Sequence, residues 1–161
     1  MGFATHLGPW LLGTVKNTTG TTVGTIRNTG TTVVSQTNTL TFANTTAKNL
    51  FVIPAGSQIL EVIIDIVTPF NSSGTDLIDV GTTADNAYYV NDATASAAGH
   101  FVATLVSTSI AGILNVGTVD KQITGKYVQS VADATAGLAQ ITVVYAVKNA
   151  DGGSYPTGNQ N

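Results

Sequence analysis

The hydrophobic positions of this chain alternate with period two almost wherever they are dense. In Gln58 to Thr68 the even positions Leu60, Val62, Ile64 and Ile66 are wholly apolar, while the odd positions Ile59, Glu61, Ile63, Asp65 and Val67 are mixed. That spacing predicts a long strand with its even face in a core and its odd face near a second layer. Further β-rich runs are Thr31 to Gln36 and Asn38 to Ala43, joined tightly at Thr37, then Asn49 to Ile53, which stops at the turn Pro54-Ala55-Gly56. Later strands are predicted at Leu77 to Val80, Ala87 to Val90, Phe101 to Val106, Lys121 to Val128 and Gln140 to Val147. Helical signal is thin: the alanine-rich stretch Asp92 to Ala98 reads as one or two turns ended by Gly99.

Eight or more short strands with frequent turn signals predict an all-β fold, an antiparallel β-sandwich or jelly roll, with a fully closed barrel as the alternative. The expected core draws on Leu60, Val62, Ile64, Ile66, Leu77, Ile78 and Val80 from the first half, and on Phe101, Val102, Leu105, Ile141, Val143 and Tyr145 from the second.

The first thirty residues read differently. Gly13-Thr-Val-Lys-Asn-Thr-Thr-Gly-Thr-Thr-Val23 is repeated, with one Thr deleted, as Gly24-Thr-Ile-Arg-Asn-Thr-Gly-Thr-Thr-Val33. Each copy is a β-branched strand, an Asn-Thr-Gly turn and a second β-branched strand. Two copies with few large apolar side chains are too little to support themselves. Residues 1–30 are therefore expected to be an extended N-terminal arm or a pair of thin hairpins that leans on a neighbour, with Phe3, Trp10, Leu11, Leu12, Val15, Val23 and Ile26 as anchors, the alternative being an arm folded back onto its own domain. The main domain is expected over 31–150, and 151–161 as a polar tail.

Composition narrows the function. The chain has 161 residues, 27 of them Thr and 12 Asn, and only 9% are charged, against about 25% in a typical soluble domain. Six Lys and Arg against nine Asp and Glu cannot neutralise a run of phosphates, so nucleic acid is not an expected partner. The apolar runs are broken by Glu61 and Asp65 and fall short of a membrane-spanning helix, so no membrane partner is expected, and residues 1–12 do not read as a secretory signal. With no cysteine there is no disulfide framework and no thiolate chemistry. So few charges also leave strand edges poorly guarded against pairing with other chains, which favours life inside an assembly.

Candidate chemistry is sparse. His6 and His100 lie far apart in sequence and form no metal-ligand spacing, and no Gly-x-Ser-x-Gly elbow accompanies them. Asp76, Asp79, Asp85 and Asp92 form the densest carboxylate cluster, but without EF-hand spacing; beside Gly, Thr and Asn they read as turn builders. Glu61 and Asp65 share one strand face roughly 13–14 Å apart, beyond the reach of a glycosidase pair. No phosphate loop or dinucleotide fingerprint occurs, so no cofactor, metal or catalytic residue is expected. Trp10, Tyr88, Tyr89, Tyr127 and Tyr155 are the residues available for a sugar-stacking platform.

Phe51-Val-Ile-Pro-Ala-Gly-Ser-Gln-Ile-Leu-Glu-Val-Ile-Ile-Asp-Ile66, followed by Phe70-Asn71 and Asp76-Leu-Ile-Asp-Val-Gly81, resembles a pattern in small structural proteins of tailed bacteriophages. There, an (I/L)PAG turn leads into a long strand, an FN turn and a DxLDVGT segment. Gly13-Thr-Val-Lys-Asn-Thr-Thr-Gly20 is similar to the starts of structural proteins of cyanophages and other phages of aquatic bacteria. Size and composition are most like a capsid decoration, or cement, protein. The resemblance implies a sandwich or barrel module, a homo-oligomer with a trimer favoured, seated on the outer capsid surface of the virion and contacting the major capsid protein. It carries no catalytic residues. The rival readings are a tail, baseplate or fibre-associated virion protein, a carbohydrate-binding adhesin using Tyr88, Tyr89 or Trp10, and, last, a hydrolase built around His100.

Overall fold

The structure, a computed structural model, describes residues 32–147. The expected arm anchors Phe3, Trp10, Leu11, Leu12, Val15, Val23 and Ile26, together with His6 and Tyr155, lie outside the described residues. Within them the chain runs β1 (Thr32–Thr41), β2 (Lys48–Ile53), β3 (Gln58–Thr68), β4 (Asp76–Thr82), β5 (Val90–Thr94) and β6 (Gly99–Val102). A 3₁₀ turn at Ser107–Ser109 leads into the short helix α1 (Ile110–Leu114), and β7 (Lys121–Gln129) and β8 (Leu138–Val147) complete it. No helix among the described residues is long and apolar enough to cross a membrane.

The strands form two four-stranded antiparallel sheets, β1-β8-β3-β6 and β2-β7-β4-β5. The pairing follows a simple scheme in which β1 meets β8, β2 meets β7, β3 meets β6 and β4 meets β5. This is one long hairpin, open at β1/β8 and closed at β4/β5, rolled up until β3 also joins β8 and β4 joins β7. An eight-stranded double sheet wound in this way is a jelly roll. Both sheets keep free edges, so the closed barrel is not formed.

β3 spans the residues that its alternation predicts, but its register carries an extra residue. Ile59 pairs with Tyr145 and Glu61 with Val144, so Leu60 sits in a bulge and the inward set moves to Ile59, Val62, Ile64 and Ile66. Leu60 is consequently 42% exposed while Ile59 is buried, a correction to the expected core. Val102 is likewise exposed, and Leu77, Phe101 and Leu105 are only partly buried. Val62, Ile64, Ile66, Ile78, Val80, Ile141, Val143 and Tyr145 are core residues as expected, joined by Leu40, Ile53, Phe70, Tyr89, Ile123 and Tyr127.

The strand expected at Ala87 to Val90 is a turn that reaches β5 only at Val90, and the one expected at Phe101 to Val106 ends at Val102; two further expectations fail for stated reasons. The break at Thr37 is absent because β8 offers an unbroken ten-residue ladder to the whole of β1, and the Thr37 and Thr142 hydroxyls meet at 2.8 Å across it. The helix expected over Asp92 to Ala98 is instead the end of β5 and a turn into β6. Asp92 adopts φ 57°, and its N–H donates to the Asp79 carboxylate at 2.9 Å. Alanine content is a weak prior, and strand pairing overrides it.

One edge is closed by side chains. β1 and β2 are edge strands of opposite sheets, and along β1 the even residues Val34, Gln36, Asn38 and Leu40 are better buried than the odd ones. Gln36 Nε2 donates to the Val52 carbonyl at 3.1 Å, and Asn38 Nδ2 donates to the Leu50 carbonyl at 2.9 Å. Lys48 Nζ returns a bond to the Thr39 carbonyl at 2.6 Å. These carbonyls are the acceptors that an unpaired edge would otherwise offer to another chain.

Candidate functional site

Antiparallel winding gathers the β2–β3, β4–β5 and β6–β7 connections at one end of the sandwich. Gly56 N–H donates to the Gly117 carbonyl at 2.7 Å and Val116 N–H to the Ser57 carbonyl at 2.9 Å, which ties the first connection to the third. Tyr89 N–H donates to the Val80 carbonyl at 2.9 Å while its own carbonyl accepts from Val106 N–H at 2.9 Å, which ties the second to β4 and to the third. The turn before it is held by Thr82 N–H to the Asp85 carbonyl at 2.7 Å and by Ala87 N–H to the Asp85 carboxylate at 3.0 Å.

A cleft of about 360 Å³ opens at this end, walled by Thr82, Asp85, Tyr88, Tyr89, Gly112 and Lys121 among others. The Tyr88 and Tyr89 rings meet edge to face, 5.0 Å between centroids and 88° between planes, the arrangement that aromatic quadrupoles favour. Gly112 of α1 is required by this packing, since a Cβ there would stand 2.6 Å from both Cε1 and the hydroxyl oxygen of Tyr88. The Tyr89 hydroxyl is buried and has no hydrogen-bond partner. Burial first, and then the neighbouring Tyr88, push its pKa up to about 12, so it stays a neutral donor.

The other residues singled out in the sequence do different work. Tyr127 is fully buried, stacks at 4.5 Å and 36° on Phe70 and donates to the Asp76 carboxylate, so it is core and not part of a platform. Its pKa is pushed up to about 12 by burial and then by the bond to Asp76. Asp76 also accepts from Ser72 N–H at 3.0 Å. Burial pushes its carboxyl up, but the bonds from Tyr127 and Ser72 outweigh that and hold it below the usual carboxylate value. Asp76, Asp79 and Asp85 thus accept hydrogen bonds from turn and bulge backbone, the turn-building role.

Asp65 does not work with Glu61 on its own strand. It faces His100 across the β3–β6 pair, with Nδ1 2.5 Å from the carboxylate oxygen, on a face where the histidine side chain is 66% exposed. Among the described residues no serine hydroxyl bonds this histidine, and no three His, Cys, Asp or Glu side chains gather as a metal would need. Neither the His100–Asp65 contact nor the cleft is visible in the linear order. Both depend on which strands become neighbours, and the only sequence signal for the cleft is the Tyr88-Tyr89 doublet beside a turn.

No protein-family model matches the chain, and neither does any curated protein. Solved structures do. The fold defined above is shared with chains of bacteriophage capsids. A chain of the cyanophage Pam1 capsid asymmetric unit superposes with a TM-score of 0.58 at 18% identity, over 75% of this chain and 89% of that one. A chain of the acid-stable capsid of Helicobacter pylori bacteriophage KHP30 gives 0.54 at 16% identity, over 71% and 87%. A chain of the Ralstonia phage GP4 capsid gives 0.52 at 20% identity, over 74% and 85%. The resemblance to phage virion proteins read from the PAG, FN and DLIDVG segments is thus accompanied by a fold that phage capsid chains also have. In each case the larger share covered belongs to the other protein, so the matched chains are shorter than this one.

Proposed function

We propose that this protein is a structural component of a tailed-phage virion, specifically a decoration protein that binds the outer capsid surface and braces neighbouring major capsid subunits, most simply as a trimer. The observation that carries this reading is the jelly-roll body itself, shared over most of their length with three small capsid chains. Chemistry supports it from the other side: among the described residues, the exposed His100–Asp65 pair has no nucleophile bonded to it, and the best-buried carboxylate, Asp76, is consumed by Tyr127 and Ser72. A protein that works by covering surface needs area and not reactive groups. Repetition over a shell then supplies strength that no single contact requires.

The side-chain seam between β1 and β2 withdraws that side from strand exchange, and residues 1–30, with Phe3, Trp10, Leu11 and Leu12, are the segment proposed to grip a capsid or a neighbouring copy. The test is co-sedimentation of the full chain with purified expanded heads that lack it. Binding should saturate at a stoichiometry proportional to the major capsid protein, hundreds of copies per particle by order of magnitude for a lattice of repeated sites. A handful of copies confined to the tail fraction would overturn the capsid assignment in favour of a tail or baseplate role.

A further inference from the structure

We propose that the cleft between the β4–β5 turn and α1 is a binding site for a single neutral sugar ring. Its size of about 360 Å³ falls at the lower end of the range for small-ligand sites, roughly 300–1,000 Å³. Three observations fix the chemistry. The wall is aromatic where Tyr88 and Tyr89 stand edge to face, and the Tyr88 ring is kept in position by the missing side chain of Gly112. The Tyr89 hydroxyl lies buried behind that wall without a hydrogen-bond partner, an unpaired polar atom whose burial costs stability. The polar groups have both signs: Lys121 supplies an ammonium donor with no carboxylate in salt-bridge reach among the described residues, and Asp85 supplies a carboxylate.

Together these select among ligand classes. An anion would meet Asp85 and a cation would meet Lys121, so a ligand of one charge is opposed by half of the site. A purely apolar molecule would leave the Lys121, Asp85 and Thr82 groups desolvated and unpaired. A ring with hydroxyls that both donate and accept, and with C–H faces that lie on an aromatic wall, can pair with the Lys121 ammonium, the Asp85 carboxylate and the Thr82 hydroxyl together. The site is built from the body alone and is independent of the capsid contact proposed above.

The probes are methyl glycosides of glucose, galactose, mannose and N-acetylglucosamine, titrated into the ¹⁵N-labelled full chain at millimolar concentrations. Backbone amide shifts that saturate at Thr82, Asp85, Gly112 and Lys121 with at least one of them are expected. Tyr88→Ala and Lys121→Met should each weaken that binding by about tenfold or more, the scale of one lost stacking or polar contact in a small site. Lys121→Met should do so with an unchanged melting temperature, which separates loss of the site from loss of the fold. Absence of saturable shifts with all four glycosides overturns the proposal. So do shifts that map away from the cleft, or acetate or inorganic phosphate shifting the same amides more strongly than any sugar. None of these readouts involves a capsid, so their failure leaves the decoration reading where it stands.

Discussion

Asp79, in the bulge where β4 passes from pairing Ile78 with Ala93 to pairing Val80 with Val90, shows how much of the local electrostatics depends on one irregularity. Its carboxyl is pushed up, first by burial and then by the charges of Asp92 and Asp85, against the Asp92 N–H bond and Lys126, which favour ionisation. A carboxyl raised in the folded state holds its proton more tightly folded than unfolded. Its ionisation therefore costs stability above the folded value, and that cost vanishes once the pH falls below the unfolded value of about 3.9. Asp79→Asn keeps an oxygen for Asp92 N–H and removes the buried charge. The variant should melt higher than the parent at pH 7, and the two should converge as the pH falls through the folded and then the unfolded carboxyl value. Scanning calorimetry across pH 3 to 7 checks this, and a variant that melts lower at pH 7 would mean that the charge is needed there. Asp76 has the opposite sign, being held down by Tyr127 and Ser72, so the stability it confers is lost on acidification through its folded value.

Strand patterns are readable from residue spacing only where one face is clearly apolar. β3 and β8 announce themselves in that way, and both are central strands with a partner on each side. β1 does not, because its inward positions include Gln36 and Asn38, whose amides are spent on the carbonyls of β2. A polar residue that faces inward to close a seam looks the same in sequence as one that faces water. The bulge at Leu60 is hidden for a related reason, since nothing in an unbroken apolar run says where an extra residue will be inserted. Removing the seam should expose what it covers. The double variant Gln36→Ala, Asn38→Ala should lose about 1.5–4.5 kcal/mol in urea unfolding, at roughly 0.5–1.5 for each net hydrogen bond donated to Val52, Tyr145 and Leu50. It should also associate beyond the parent's state in sedimentation velocity, because Leu50 and Val52 then offer free acceptors at a sheet edge. Parental stability together with parental association would show that the edge is protected by something else.

For the whole molecule, the sandwich was legible because turn signals and short strands leave few alternatives, and the strand order could not be read because pairing between β1 and β8 spans more than a hundred residues. The candidate site was legible only as the doublet Tyr88-Tyr89. Its opposite wall comes from α1, a helix that the sequence pattern does not predict, and from Lys121 at the start of β7. Residues 32–147 form a compact unit in their own right. A variant lacking residues 1–30 should accordingly keep a cooperative thermal transition while losing co-sedimentation with heads. A truncated protein that binds with full affinity would take the proposed arm out of the mechanism.

The rolled hairpin has a mechanical corollary. Thr32 and Val147 are partners at one end of the β1–β8 ladder, so force applied between these two residues would load the hydrogen bonds one after another and peel the strands apart like a zipper. Force entering at Thr32 and leaving through Leu138, at the opposite end of the same ladder, would instead pull along the strands, shear the ladder as a whole and meet all ten pairs of β1 at once. In the decoration role proposed above, a shell that swells under load would be restrained well by this molecule in the second direction and poorly in the first.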